Sequence, residues 1–488
     1  MKELRPYRMK DSGVEWLGDV PAHWEVAPLG RIGRFFKGNG GTKAEEAEEG
    51  VPCVRYGDLY TYHDFHIASS KAFVASGVAA TTYTPIKFGD VLFAGSGETV
   101  DEIGKSAANL MVDPACCGGD VIVFRPRVNA DARFLGYATD CQPAARQKAR
   151  MGRGFTVIHI YGNDLKYLTI AIPPLPEQVA IARFLDHATN RIDRHIRAKE
   201  KLINLWEEQK QAIIDEAVTG RIEVRTGEPY ANYRDSRIEW LGNVPARWQI
   251  RELGRMGRFF KGSGGTKADE TNEGTPCVRY GDLYTTHRFH VRETRSFVDP
   301  AVAATTYTPI EYGDVLFAGS GETIDEIGKS AVNLMCGGCC GGDVIVFRPN
   351  IEVDAAFLGY ATDCRYAARQ KARMGRGFTV MHIYSTDLKY MIIALPPLSD
   401  QVAIAGFLER VAKDMDGAIY RAQSQIELAV EYRASLIADV ITGKLDVRSA
   451  AAELPEVEPL TSEHGAHADG VKSNSFGTER GIAREANP

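Results

Sequence analysis

The chain has 488 residues, of which 44% are apolar and 25% charged, a composition typical of a folded protein with several domains. No apolar run approaches the roughly 20 residues that a membrane span needs, and the first residues lack the apolar core of a signal peptide, so we expect a cytoplasmic protein. The net charge of −6 argues against bulk attraction to nucleic acid, although most of it comes from the tail after residue 448, which has three basic and seven acidic residues.

An internal duplication organises the sequence. Residues 30–67 differ from residues 254–291 at nine of 38 positions, and residues 79–111 differ from residues 303–335 at four of 33. The period of 224 residues is far too long for a solenoid of stacked repeats. The pattern therefore indicates a tandem duplication of a whole domain together with the segment that follows it.

The first part of each repeat, roughly 16–172 and 240–395, is rich in glycine, β-branched and aromatic residues. Short apolar runs at 90–94 and 120–124 predict buried strands between turns, and residues 134–140 predict a short helix. We therefore expect an α+β fold for each copy.

The second part of each repeat predicts a long helix. After Pro176 the chain reaches Gly220 without an internal glycine or proline, and apolar residues recur at the 4-3 spacing of a coiled coil. About 40 residues make a rod of roughly 60 Å. The apolar residues that we expect on these partner-binding helices are Ile181, Leu185, Ile192, Leu202 and Trp206, and in the copy Ile404, Leu408, Met415 and Leu436.

Such a stripe is more often the buried face of a helix packed on its own domain, but two matched stripes favour helices that pack on each other. The order globule, helix, globule, helix then requires an antiparallel pair with a pseudo-two-fold axis and a globule at each end. The predicted segments are a first globular domain (1–172), a first spacer helix (173–221), a second globular domain (222–395), a second spacer helix (396–447) and a disordered acidic tail (448–488).

Two motifs mark the beginning and the end of each domain. The first runs from Glu15-Trp16-Leu17-Gly18 through Pro21 and Trp24, and the second from Ile172-Pro173-Pro174-Leu175-Pro176-Glu177-Gln178 through Ile181. Both recur, at 239–248 and 395–404. In these motifs the chain resembles the specificity (S) subunits of type I restriction–modification enzymes, and the resemblance covers residues 7–447.

The resemblance implies two target-recognition domains that each read one half of a split DNA site, with the helices setting the spacer. It also implies that the chain is not catalytic by itself, and that its helices dock two adenine-N6 methyltransferase (M) subunits that use S-adenosylmethionine. A motor-nuclease (R) subunit that uses ATP and Mg²⁺ would be a further partner. Because the two domains are nearly identical here, we predict a near-palindromic site, although differences such as Tyr62 against Thr286 and Asp64 against Arg288 leave unequal half-sites open.

The strongest candidates for DNA contact lie between Asp140 and Asp164, and in the copy between Asp363 and Asp387, where every charged residue is basic. Arginine and lysine beside glycine suit contacts to phosphates, and a solvated basic loop is the alternative. The candidates are Arg146, Lys148, Arg150, Arg153, Arg369, Lys371, Arg373 and Arg376.

Two other repeated segments carry further candidates. The glycine-rich segment 36–43 lacks the spacing of a nucleotide-binding P-loop, so it is either a DNA-facing loop or an ordinary glycine turn. Segment 56–63 mixes aromatic and hydrogen-bonding side chains suited to base edges, although aromatic residues near strands more often form core. The candidates in these segments and their copies are Lys37, Asn39, Thr42, Lys43, Tyr60, Tyr62, His63, Lys261, Ser263, Thr266, Lys267, Tyr284, Thr286 and His287.

Catalytic and metal-binding patterns are weak in this sequence. Cys336 and Cys339 form one CxxC without a counterpart in the first repeat, so we expect reduced thiols rather than a zinc site. One rival interpretation is a nuclease that binds metal through Asp101 and Glu102, and it predicts metal-dependent nicking by the purified chain. The other is a protein-binding scaffold, which predicts no salt-dependent affinity for DNA.

Overall fold

The computed structural model describes residues 7–41 and 45–455. Contacts between Cα atoms divide these residues into two units. Unit 1 comprises residues up to 197 together with residues 426–455, and unit 2 comprises residues 198–425. Each long helix therefore contributes to both units. The division into consecutive domains that we drew from the sequence remains a prediction.

Unit 1 is built from short strands and helices in an α+β arrangement. Its strands are β1 (Met9–Asp11), β2 (Asp19–Pro21), β3 (Glu25–Pro28), β4 (Gly33–Lys37), β5 (Glu46–Ala47), β6 (Val51–Val54), β7 (His66–Ile67), β8 (Ala72–Val74), β9 (Thr84–Ile86), β10 (Val91–Ala94), β11 (Ser96–Gly97), β12 (Ser106–Asn109), β13 (Ala115–Cys117), β14 (Val121–Pro126), β15 (Ile158–His159) and β16 (Thr169–Ile172). Its helices are α1 (Leu29–Ile32), α2 (Tyr56–Thr61), α3 (Ser76–Thr82), α4 (Ala132–Asp140), α5 (Gln142–Met151), α6 (Gly162–Leu165) and the first part of α7 (Leu175–Thr219).

Unit 2 repeats this order of elements. Its strands are β17 (Tyr233–Asp235), β18 (Asn243–Pro245), β19 (Gln249–Glu252), β20 (Gly257–Lys261), β21 (Glu270–Thr271), β22 (Thr275–Val278), β23 (Phe289–Val291), β24 (Phe297–Val298), β25 (Thr308–Pro309), β26 (Val315–Ala318), β27 (Ser320–Gly321), β28 (Ser330–Asn333), β29 (Cys339–Cys340), β30 (Val344–Pro349), β31 (Met381–His382) and β32 (Ile392–Leu395). Its helices are α8 (Tyr280–Thr285), α9 (Pro300–Thr306), α10 (Ala355–Asp363), α11 (Arg365–Met374), α12 (Ser385–Leu388) and the first part of α13 (Leu398–Ile441), with 3-10 helices at Leu253–Arg255 and Lys267–Asp269. The later part of α13 and α14 (Arg448–Ala452) belong to unit 1.

Two mixed sheets lie at the centre of unit 1, with strand orders β4-β14-β10-β12-β7 and β5-β8-β6-β13-β9. Strand β10 is antiparallel to both β12 and β14, whereas β12 and β7 are parallel. Because successive side chains of a strand point to opposite faces, Val91 and Phe93 pack in one core while Leu92 and Ala94 pack in another. Strands β10 and β14 cover the two runs that the sequence predicts as buried strands.

The sheets of unit 2 have the same orders, β20-β30-β26-β28-β23 and β21-β24-β22-β29-β25. Strand β26 is likewise antiparallel to β28 and to β30, and its side chains alternate between two cores in the same way. The predicted fold class, two similar α+β domains joined by long helices, is confirmed.

The long helices begin and end inside these cores. The start of α7 and the end of α13 bury apolar side chains in unit 1: Ile181, Leu185, Ile437, Val440 and Ile441. The start of α13 and the end of α7 do so in unit 2: Ile404, Leu408, Ile214, Ala217 and Val218. Ile181, Leu185, Ile404 and Leu408 are thus unavailable to a partner protein, contrary to the sequence prediction, because they pack on their own domains.

Ion pairs give the relative direction of the helices within each unit. In unit 1, Asp193 lies 2.7 Å from Arg433 of α13, and Glu177 at the start of α7 lies 3.5 Å from Arg448 of α14, which follows α13. The residue numbers of the partners fall as α7 advances, so the two helices are antiparallel there. In unit 2, Lys210 pairs with Asp416, and Arg225, just beyond the end of α7, lies 2.8 Å from Asp400. The same antiparallel direction follows.

The motifs that open each domain lie against the glycine that closes a long helix. Gly443 has a φ of +74° beside Pro21 and Trp24, and a Cβ built there would come within 2.3 Å of the proline ring. The indole Nε1 of Trp24 donates to Glu177 at 2.9 Å, which ties the opening motif to the second motif as well. In unit 2, Gly220 lies in the same way against Pro245 and Trp248.

Candidate nucleic-acid interface

Helix α5 presents one buried and one exposed face. Ala144 and Gln147 are buried, and the Gln147 side chain makes two hydrogen bonds of 2.9 Å with the backbone of Thr169 in β16. Arg146 and Arg150 point outward and are exposed. The inner face thus holds the helix on the domain, and the outer face carries cations toward solvent.

Lys148 does not lie on that outer face, although the sequence prediction placed it among the phosphate contacts. Only 1% of the residue is exposed, and its Nζ lies 2.8 Å from the Gly104 carbonyl and 2.8 Å from Asp140. Lys105 lies 2.7 Å from the same carboxylate. Burial alone would raise the pKa of Asp140, but Lys148 and Lys105 together hold it below its ordinary value. Lys148 is therefore a structural cation.

The copy repeats this arrangement. Lys371, also a predicted phosphate contact, is 1% exposed and its Nζ lies 2.7 Å from Asp363. Burial lowers the pKa of Lys371, and Asp363 opposes that shift. The neighbouring Lys329 lies 3.5 Å from the carboxylate, farther than Lys105 from Asp140 in unit 1. The exposed cations of α11 and the turn after it are Arg365, Arg369, Arg373 and Arg376.

A tight turn follows each basic helix. The backbone N–H of Arg153 donates to His159 at 2.9 Å, and His159 donates back at 2.7 Å. The Arg153 guanidinium lies 2.8 Å from Asp164, and in unit 2 Arg376 lies 3.0 Å from Asp387. These arginines are exposed despite their carboxylate partners. A phosphate can therefore reach both guanidinium groups from solvent.

The segments that the sequence singles out separately converge on this turn in unit 1. Strand β11 pairs with β15, and Ser96 Oγ lies 3.0 Å from His159 Nδ1. A surface cavity of about 680 Å³ is lined by Lys37 of the glycine segment, Ser96 of β11, His159 of the turn and Lys166 at the end of α6, among others. A second cavity of about 530 Å³ lies against α5 and is lined by Trp16, Asp101, Arg146 and Arg150.

Close packing explains why segment 36–43 contains glycine. A Cβ at Gly38 would come within 2.2 Å of the Gly118 carbonyl, and one at Gly40 within 2.7 Å of the Tyr83 ring. The glycine turn interpretation accounts for this close packing, while Lys37 and Asn39 beside it are exposed. Thr42 and Lys43 lie outside the described residues. In the copy, Lys261, Ser263, Thr266 and Lys267 are all exposed.

Most side chains of the aromatic segment 56–63 and its copy pack within their own domain. The Tyr60 hydroxyl donates to the Ser96 carbonyl at 3.1 Å, its copy Tyr284 donates to Ser320 at 3.0 Å, and burial raises the pKa of each to about 12. His63 and His287 are buried, so neither reaches a base edge, contrary to the sequence prediction. Burial lowers the pKa of His63 to about 4. Tyr62 is half-buried under Lys71, whose Nζ lies 4.2 Å from the ring centre, and Thr286 is exposed.

Several positions at which the repeats differ face the long helices. Asp64 lies 3.3 Å from Arg433 of α13 within unit 1, whereas its counterpart Arg288 donates to Gln211 of α7 at 3.1 Å within unit 2. Arg365, which replaces a glutamine of the first repeat, donates its backbone N–H to Asp215 of α7 at 2.9 Å. These differences therefore alter contacts to the helices.

Sequence reasoning missed one feature of this surface. Phe155 and its copy Phe378 are fully exposed at the tips of the two turns, where a phenylalanine beside short strands would be expected in the core. The repeated Gly-Arg-Gly-Phe is the pattern that could have found them.

Other classes of site find little support on the described surface. In residues 7–41 and 45–455 no three His, Cys, Asp or Glu side chains gather as a metal site requires. Cys336 is exposed, whereas Cys339 is buried beside Cys277. No helix of the described part of the chain is both long and apolar enough to cross a membrane.

Comparison with known proteins gives concordant matches. The family described as "Type I restriction modification DNA specificity domain" matches residues 21–204 and again residues 245–427. The putative type I restriction enzyme MjaX specificity subunit of Methanocaldococcus jannaschii is 24% identical over 462 residues, which cover 91% of this chain and 99% of that protein. The type I restriction enzyme EcoKI specificity subunit of Escherichia coli K12 is 20% identical over 478 residues, covering 92% and 97%.

A solved structure shares the fold. One chain of a structure concerned with complex assembly and conformational transition of the type I R-M system aligns with a TM-score of 0.65 at 18% identity, covering 87% of this chain and 99% of that chain.

Proposed function

Because the chain belongs to the type I restriction–modification DNA specificity family, we propose that its two domains each read one half of a bipartite, near-palindromic site in double-stranded DNA. The observation that carries this proposal is the repetition of one basic surface in both domains. Helix α5 with its turn and helix α11 with its turn hold exposed arginines at equivalent positions, and each turn ties its last arginine to an aspartate at 2.8 or 3.0 Å.

The near-identity of the two surfaces supports equivalent half-sites. Position 64 and its counterpart 288 differ in charge, but both side chains contact a long helix. The exposed arginines after Lys148 and after Lys371 are the same in both copies. Two equivalent readers favour an inverted repeat, because each reads the same bases on opposite strands.

The phosphate contacts that we propose come from six exposed arginines: Arg146, Arg150, Arg153, Arg369, Arg373 and Arg376. Each phosphate neutralised on duplex DNA releases counterions and adds about 0.9 to the slope of log K against log salt. Such contacts set the register of the protein, while base edges supply sequence information.

The long helices are the surfaces that we propose for the methyltransferase subunits. Exposed apolar side chains on the helices include Leu205 and Tyr420 in unit 2, and Leu428 and Tyr432 in unit 1. Large apolar side chains left exposed on helices suit a protein interface. The methyl transfer, with S-adenosylmethionine, then belongs to two M subunits, and cleavage with ATP and Mg²⁺ to an R subunit where one joins. The chain itself supplies recognition and no catalytic group.

The decisive experiment is methylation mapping in cells that carry this chain with its genomic methyltransferase neighbour. We expect one bipartite, near-palindromic motif. Alanine at all six arginines should abolish the motif, and in vitro it should reduce the salt slope of DNA binding by up to about 5. Arginines 31 and 255, which are exposed at equivalent positions outside the two basic segments, provide a control of like charge whose removal should keep the motif.

Two results would contradict the proposal. Methylation at two unrelated half-sites would refute the near-palindrome while leaving the family assignment intact. If the methyltransferase is active together with another specificity subunit but gives no site-specific methylation with this chain, DNA recognition by this chain is refuted.

A further inference from the structure

The tip of the turn after each basic helix is a phenylalanine held in water. Phe155 and Phe378 are each 105% exposed relative to a reference peptide, and the valine two residues later is exposed as well. Among the described phenylalanines only Phe88 is otherwise exposed, at 61%. The hydrophobic effect disfavours such exposure, and here it occurs at equivalent positions of both domains. A shared external contact explains it better than local packing.

The backbone holds the ring out. Reciprocal hydrogen bonds between Arg153 and His159 close the turn, and His159 is anchored on Ser96. Gly154 has a φ of +133°, and a Cβ there would come within 2.1 Å of the Val157 carbonyl. The copy repeats this geometry, with Gly377 at φ +141°. The turn is therefore a pre-formed hairpin, and the phenylalanine pays little ordering entropy when it binds.

The base of each tip is cationic. The exposed Arg153 and Arg376 directly precede the tip glycines, and the other arginines of α5 and α11 lie in the preceding helix. An exposed aromatic ring that follows a cluster of exposed arginines in the chain matches an opened step of a duplex, where base faces lie between two phosphate backbones. Phenylalanine is among the side chains that proteins insert between base steps, and aromatic rings stack on bases of any sequence.

From this geometry we propose that Phe155 and Phe378 are wedges, each of which inserts into the base stack of one half-site and stacks on a base there. The proposal rests on the proposed function, because it needs DNA on this surface. It assigns to each domain a contact that opens the duplex, in addition to contacts that read and hold it. The wedge also lowers the cost of extruding a neighbouring base, which any enzyme acting on a base within a duplex must do.

The test uses the full complex of this chain with its methyltransferase and duplexes carrying the mapped site, with 2-aminopurine placed at successive positions. Wild-type complex should increase the fluorescence at one step in each half-site. Phe155→Ala should remove the increase in one half-site and Phe378→Ala in the other. Each variant should bind roughly 5- to 150-fold more weakly, equivalent to about 1–3 kcal/mol. Phe155→Trp, which keeps an aromatic face, should retain the signal.

An abasic nucleotide provides the rescue. A duplex that lacks the base at the wedge step no longer needs to be opened, so Phe155→Ala should bind it with less than a threefold deficit relative to wild type. Phe88→Ala is the matched control, because Phe88 is also exposed but is not part of the turn. Phe88 lies before β10, whereas β11, which pairs with the turn, lies after β10. It should change neither the fluorescence nor the affinity.

Three results overturn the wedge. The 2-aminopurine signal could persist in Phe155→Ala, the abasic duplex could fail to rescue it, or the variant could lose its methyltransferase subunit, which would make the tip a protein contact. Failure of the proposed function looks different, because then the wild-type complex itself shows no preference for a specific duplex. Thermal unfolding of each variant controls for folding, and a fully exposed side chain should leave it unchanged.

Discussion

Replacing Lys148 by methionine separates a structural cation from a DNA-binding one. The change keeps the length of the side chain and removes the ammonium group that contacts Gly104 and Asp140, both at 2.8 Å. Asp140 remains buried, and it retains Lys105 at 2.7 Å and the Ser106 N–H at 2.9 Å. Arg150→Met, on the exposed face of the same helix, is the matched control.

The magnitude follows from what each carboxylate keeps. Removing one partner of a buried ion pair costs about 3–5 kcal/mol when the other charge is left uncompensated. Because Asp140 keeps a second ammonium group, we expect Lys148→Met to cost roughly 2–3 kcal/mol. Asp363 keeps Lys329 only at 3.5 Å, so Lys371→Met should cost more, about 3–5 kcal/mol. Arg150→Met should cost less than about 0.5 kcal/mol.

The assay is denaturant unfolding of the full chain with hydrogen exchange read at residues 104–109 and 328–333, which report the two units separately. Loss of Lys148 should also raise the pKa of Asp140, which is below its ordinary value in the wild type. The wild type gains stability from this depressed pKa above the unfolded value of about 4 and loses it as pH falls through the folded value. The variant's deficit should therefore shrink as pH falls below about 4. Unchanged stability together with weaker DNA binding by Lys148→Met would refute the reasoning.

Three further outcomes follow from the structure. Burial lowers the pKa of His63 to about 4, so stability is lost as pH falls from the unfolded value of about 6.5 toward 4; His63→Gln should reduce the loss between pH 7 and pH 5 by about 2 kcal/mol in urea unfolding, and an identical pH profile would contradict it. Tyr432→Glu, on an exposed part of α13, should weaken co-purification with the methyltransferase at least tenfold while leaving the melting temperature unchanged, and full retention of the partner would exclude this surface. Gly443→Ala must place a Cβ at φ +74° and 2.3 Å from the Pro21 ring, so we expect it to lose about 2–4 kcal/mol in thermal unfolding, whereas Gly227→Ala, also at positive φ but with no atom within 4 Å of its Cβ, should lose about 1 kcal/mol.

The duplication made the fold class predictable. Two copies of the same turn-rich, β-branched sequence predict two α+β domains, and the uninterrupted segment after Pro176 predicts the long helix that occupies Leu175–Thr219. The apolar stripe correctly predicted a helix, but the periodicity does not reveal which surface packs against the stripe. Ile181 and Leu185 follow the coiled-coil spacing but pack on their own domain.

The candidate site was harder to predict than the fold. The run of basic residues located the surface, but the burial of Lys148 depends on Gly104 and Lys105, which lie more than 40 residues away in sequence. The burial of His63 likewise depends on tertiary packing that no local pattern records. The sequence analysis did not single out Phe155, because hydrophobicity favours a buried position and only the turn places the ring in solvent.

The composition of unit 1 has a consequence for the order in which the chain matures on the ribosome. Unit 2 has all of its residues once Gln425 has been made, whereas unit 1 combines the beginning of the chain with residues from Ile426 onward. The domain that is translated first therefore completes last, with its core exposed until Ile437, Val440 and Ile441 emerge from the exit tunnel. A nascent chain released before that point would carry a completed second domain and an incomplete first one, so both domains are complete only after the end of α13 has been made.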